Sequence, residues 1–111
     1  MTVEFDVYSG RPNPTWSLSA AEAEQMAGLL KDLPRAAAEA PEGLGYRGFL
    51  LRMSAPAGAE PASVRVNAGV VTIQKGDRAE HFVDARGAEE RLLQQARERG
   101  FGSVVDALRP R

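Results

Sequence analysis

Cysteine is absent from this 111-residue chain, and histidine and tryptophan each occur once. Without thiols there is no disulfide framework, no thiolate zinc knuckle, no iron–sulfur centre and no cysteine nucleophile. A lone imidazole, that of His81, excludes a histidine-rich metal site and leaves any Ser-His-Asp arrangement dependent on one residue. Neither metal nor cofactor is expected. An excess of either charge is also missing: 14 basic residues face 15 acidic ones, a formal charge of −1. That removes the global electrostatic case for nucleic acid. No stretch approaches the ~18 apolar residues needed to span a bilayer, so no membrane partner is expected.

What is present points to one α+β domain over residues 1–111, a length near the commonest domain size. The opening MTVEFDVYSG carries Glu4 and Asp6 where a targeting leader carries bases and an apolar core, so a cytoplasmic location is expected. Twelve of the fourteen basic residues are arginine, which reads as GC-rich, bacterial-type coding and not as a phosphate-recognition device.

Thr2–Tyr8 alternates with a period of two, which predicts a half-buried strand. Ser19 followed by Glu22 is a capping box, and Met26, Ala27, Leu30 and Leu33 continue at helical spacing until Pro34. Tyr46–Met53 predicts a central strand. Ser63–Asn67, Val70–Lys75 and Ala79–Val83 predict a meander, with αL-tolerant turns at Asn67-Ala68-Gly69 and Gly76-Asp77-Arg78. Asp84 is placed to cap a helix striped by Ala88, Leu92, Leu93 and Ala96 and ended by Gly100. Ser103 is expected to cap a short last helix stopped by Pro110. The order β-α-β-β-β-β-α implies a two-layer fold: a mostly antiparallel five-stranded sheet with helices on one face. Were the first two strands neighbours across the helix, they would run parallel, with Tyr46 and Trp16 at opposite ends.

Three motifs are discounted. Gly43–Gly48 matches G-x-G-x-x-G, but Pro41 precedes it, a strand follows it, and no acid stands about 20 residues on. Its plain reading is a strand approach in which Gly48 lets another backbone come close. Asn13-Pro14-Thr15 carries proline at the forbidden centre of a glycosylation acceptor. Glu80 and His81 point to opposite faces of a strand and do not converge with Asp77 and Asp84 on a metal. Residues 85–111 hold six arginines against four acids; several lie beside a glutamate at helical spacing, so most are read as a solvated, salt-bridged face.

The densest chemistry lies between Tyr8 and Trp16. A double-proline turn there brings together the Arg11 fork, the Asn13 amide and the only tryptophan, with Tyr46 and Arg47 as a second aromatic–basic pair. The plainer alternative makes Trp16 a staple of the first helix on the sheet and pairs Arg11 with Asp6 or Glu4. Ser9–Trp16, with the later Gly45-Tyr46-Arg47-Gly48, resembles a pattern in small bacterial proteins without an assigned activity. That resemblance implies no catalytic residue.

These features point to a non-catalytic binding or assembly module, an accessory protein of bacterial biosynthesis, with Arg11, Asn13, Trp16, Tyr46 and Arg47 as its site. The expected partner is a protein or peptide segment or a small anionic ligand, and unpaired sheet edges favour a homodimer. The alternatives are a small enzyme with Arg11, Tyr46, His81 and Asp84 around an apolar cleft, His81 acting with a hydroxyl such as Ser63 or Ser103, or a regulatory partner subunit.

Overall fold

Strand β1 (Thr2–Phe5) turns Val3 and Phe5, both fully buried, to one face and Glu4 to the other, as its alternation dictates. The computed structural model describes residues 1–8, 10–37, 46–53 and 62–108. In chain order β1 is followed by β2 (Thr15–Ser17), α1 (Ala20–Leu29), β3 (Phe49–Arg52), β4 (Ala62–Asn67), β5 (Val70–Lys75), β6 (Arg78–Val83), α2 (Ala88–Ala96) and α3 (Gly102–Leu108). The strands form a single antiparallel sheet in the order β2-β1-β3-β4-β5-β6. The α+β class is as expected, but the sheet has six strands where five were expected.

The sixth strand is Thr15–Ser17. It folds back along β1 with Val3 opposite Trp16, and Phe5 N–H donates to Pro14 O at 2.9 Å. β1 and β2 are therefore the arms of a hairpin, and Pro12 and Pro14, between them, sit where no ladder donor is needed. β1 and β3 run antiparallel, not parallel, with Phe5 opposite Phe49. That correction brings Tyr46 and Arg47 to the end of β1 from which the hairpin loop departs: Arg47 N–H donates to Asp6 O at 2.7 Å.

Two strands are shorter than their patterns. β1 stops at Phe5 because the Asn13 side chain takes the Val7 and Tyr8 amides. β3 begins only at Phe49, after Gly48 at φ 83°. A Cβ on Gly48 would lie 2.1 Å from Val66 O, the close backbone approach that only glycine allows. In the β4–β5 turn both Ala68 (φ 51°) and Gly69 (φ 80°) are left-handed, as a two-residue hairpin of matching twist requires.

Helix α1 opens on the capping box: Glu22 N–H donates to Ser19 Oγ, and Ser19 N–H donates to Glu22 Oε1. The bond from the Ser19 amide, then that to its hydroxyl, with Arg99 nearby, hold the Glu22 carboxyl below its ordinary range. The helix ends at Leu29, short of the expected Leu33. Asp32 takes φ 54°, and Pro34 biases its predecessor toward extended backbone. The chain then runs beside β6, where Val83 N–H donates to Pro34 O and Ala36 N–H donates to His81 O.

Asp84 holds the start of α2 with both oxygens, on the amides of Ala88 and Glu89. Beyond α2, Gly100 at φ 95° breaks the helical path, and α3 starts at Gly102, so Ser103 lies inside that helix and does not cap it. Pro110 lies outside the described residues, as do Ser9, Pro41, Gly43–Gly45 and nearly all of the Ala55–Ala62 loop.

One face of the sheet carries the core. Val3, Phe5, Trp16, Phe49, Leu51, Val64, Val66 and Val71 meet Met26 of α1, Ala88, Leu92 and Ala96 of α2, and Val105 of α3. Each large side chain buried there contributes about 1.5–3 kcal/mol. Phe5 stacks on Phe49 with centroids 4.8 Å apart at the middle of the sheet.

Candidate functional site

The hairpin loop is held from within by Asn13. Its Oδ1 accepts from the Val7 amide (3.1 Å) and the Tyr8 amide (2.8 Å), and its Nδ2 donates to Glu4 Oε2 (3.0 Å) and Asp6 Oδ1 (3.1 Å). Two donors and two lone pairs are the full capacity of a primary amide, so all of it is spent inside the chain. Glu4 and Asp6 are joined in turn by Arg52 (3.1 Å) and Arg65 (2.8 Å), and Arg65 also donates to Arg47 O. This network lies on the sheet face opposite the core. Arg11 does not join it: its guanidinium lies 3.8 Å over the Tyr8 ring, on the exposed side of the loop.

Trp16, expected as a surface anchor, is 9% exposed. Its indole packs on Phe49 (6.3 Å) and Phe101 (6.4 Å), with the Arg99 guanidinium 5.3 Å over the ring, and Nε1–H donates to Gln95 Oε1 at 3.2 Å. Tyr46 turns inward as well. Its ring meets Phe5 and Phe49 edge-on, and its hydroxyl donates to Glu89 Oε2 at 2.6 Å. Burial first, then the bond to Glu89, push its phenol above the ordinary value. Trp16, in the core, and Tyr46, half-buried against it, thus converge on Phe49. Of the five expected site residues, Arg11 and Arg47 are the two that present exposed side chains.

Of the residues weighed for catalysis, Tyr46 and Asp84 both bond Glu89, and the others lie apart from them. His81 lies on the sheet face opposite the core, its Nδ1 2.9 Å from Thr72 Oγ1, while Asp84 is engaged with the start of α2. Ser63 sits opposite Gln74 in the sheet and Ser103 is exposed on α3. Among the described residues, no cluster of three or more His, Asp or Glu side chains is placed to hold a metal ion. Nor is any helix among them long and apolar enough to cross a membrane.

A concave site exists elsewhere. Antiparallel α1 and α2 are joined by long polar side chains: Arg86 donates to Gly28 O (3.0 Å), Arg91 to Gln25 Oε1 (3.0 Å), and Arg99 pairs with Glu22 (3.5 Å). The α1 side that meets α2 offers Gln25 and Gly28, too small and polar to interdigitate as an apolar ridge would. A groove of about 780 Å³, open to solvent, remains between them, and Arg86, Arg91 and Arg97 line it with a single acid, Glu90. The hydrogen bonds of Arg86 and Arg91 described above end on neutral oxygens, while Arg97 pairs with Asp106 outside the groove. Each guanidinium carries five N–H donors, more than these bonds use.

Sequence reasoning counted these arginines but assigned them to a solvated face. Helical spacing shows which residues share a side of α2; it does not show that α1 forms the opposite wall. No family model, no curated protein and no solved structure matches the chain.

Proposed function

We propose that this protein is a non-catalytic binding module for an anionic ligand, held in the α1–α2 groove and not on the Arg11–Trp16 loop. The observation that carries this reading is the lining of the 780 Å³ groove by three arginines and one glutamate. That volume falls in the range of small-molecule sites, and the guanidinium fork matches carboxylate and phosphate oxygens. Tyr46 and Asp84 meet at Glu89, but Arg11 lies on the hairpin loop and His81 on the opposite face of the sheet, and that separation weighs against the enzyme alternative. A homodimer built on sheet edges is the weaker part of the expectation, because Pro34–Ala36 already bonds to β6.

The test is calorimetric titration with citrate and with inorganic pyrophosphate. Arg91→Gln and Arg97→Gln are expected to weaken binding about tenfold each, the loss of one charge-assisted contact. Arg11→Gln and Arg47→Gln are expected to leave it within about twofold, since surface charges away from the site act only through screened fields. The opposite pattern returns the site to the loop. Absence of binding heat for both anions overturns the proposal.

A further inference from the structure

The groove has a length as well as a charge. α1 is ten residues long, which at 1.5 Å per residue makes a wall of about 15 Å. Along the opposite wall Arg86 stands just before α2, Arg91 within it and Arg97 just after it, so the three bases are spread along the wall and not clustered at one end. A ligand that meets all three must itself extend along the wall. An extended peptide presents every second side chain on the same face, about 6.7 Å apart, within the reach of flexible arginine side chains. Fifteen ångströms accommodates roughly four or five residues of extended chain.

Two further features suit a peptide. Gln25 and Gln94 line the groove with the arginines, and an amide side chain both donates to and accepts from a backbone. Gly28, also in the lining, has no atom within 4 Å of where a Cβ would stand, so a ligand backbone can approach α1 closely there.

We infer that the groove takes an extended acidic peptide segment with carboxylates at alternating positions, each received by one of Arg86, Arg91 and Arg97. This rests on the reading of the groove as an anion site and goes beyond it by naming the ligand class.

Fluorescence anisotropy with two fluorescein-labelled Gly/Ser peptides tests it. One carries three glutamates at alternate positions, and the other carries the same three side by side. The alternating peptide is expected to bind about tenfold more tightly, to be displaced by pyrophosphate, and to weaken about tenfold with Gly28→Leu. Gly28 is an exposed helical position where leucine is the better helix former, so the thermal midpoint should hold. Equal affinity for the two peptides, failure of pyrophosphate to displace, or indifference to Gly28→Leu overturns the inference. If citrate and pyrophosphate bind through Arg91 while the peptides do not bind, the peptide inference falls and the anion site stands. If no probe binds, both fall.

Discussion

The Trp16 indole donates to Gln95 Oε1 at 3.2 Å, joining the short strand β2 to helix α2 through a bond in the core. Gln95 is 5% exposed and is the buried polar side chain among the described core residues. Trp16→Phe keeps most of the aromatic packing but leaves the Gln95 carbonyl unpaired, at an expected cost of about 1–3 kcal/mol. Gln95→Leu should cost a similar amount by stranding the indole N–H. The double variant should be less destabilised than the two costs added, because no polar group is then left unmet. Urea denaturation of the four proteins checks this; simple additivity would mean the bond carries no coupling.

Asn13 gives a second test. Asn13→Ala removes four hydrogen bonds, two of them to carboxylates, and is expected to destabilise by about 2–4 kcal/mol. Asn13→Asp should cost more, since it supplies no donor and sets a third carboxylate beside Glu4 and Asp6. Chemical denaturation at pH 7 ranks the two variants.

Gly48 and Gly28 should respond to alanine with opposite signs. At Gly48 the new methyl would meet Val66 O at 2.1 Å in a left-handed backbone, and a loss of about 3 kcal/mol or more is expected. At Gly28, helical and open above, Gly28→Ala should gain about 0.5–1 kcal/mol. Thermal midpoints measured side by side decide it.

Tyr46 predicts an alkaline limb of stability. Its phenol is raised above the ordinary value of about 10 by burial and by the Glu89 bond, so the folded state favours the protonated form. A group raised in the folded state contributes stability that is complete below its unfolded pKa and is lost as pH climbs toward the folded one. The native protein should therefore lose stability from about pH 10 upward. Tyr46→Phe should flatten that limb while losing about 1–2 kcal/mol at neutral pH for the missing bond to Glu89. Urea midpoints at pH 8 and pH 11 compare the two proteins.

The sequence by itself determined the features whose causes lie within a few residues. Alternation and left-handed turn residues specify the β4–β5–β6 meander nearly to its ends, Ser19 with Glu22 starts α1, and Gly100 breaks the helical path after α2. Tertiary structure decided what depends on distant partners. Thr15–Ser17 has one inward side chain, too few to show a period, and is a strand because β1 pairs with it. The rarity of Trp16 marked its loop as informative without showing that the indole points inward to Phe49, Phe101 and Gln95. The arginines of α2 were legible as a polar face, but a groove needs two walls, and the second is supplied by Gln25, Gly28 and Leu29, some sixty residues earlier. Local conformation follows from steric and hydrogen-bonding preferences of neighbouring residues, whereas a concave site arises only where packing leaves two elements facing across a gap.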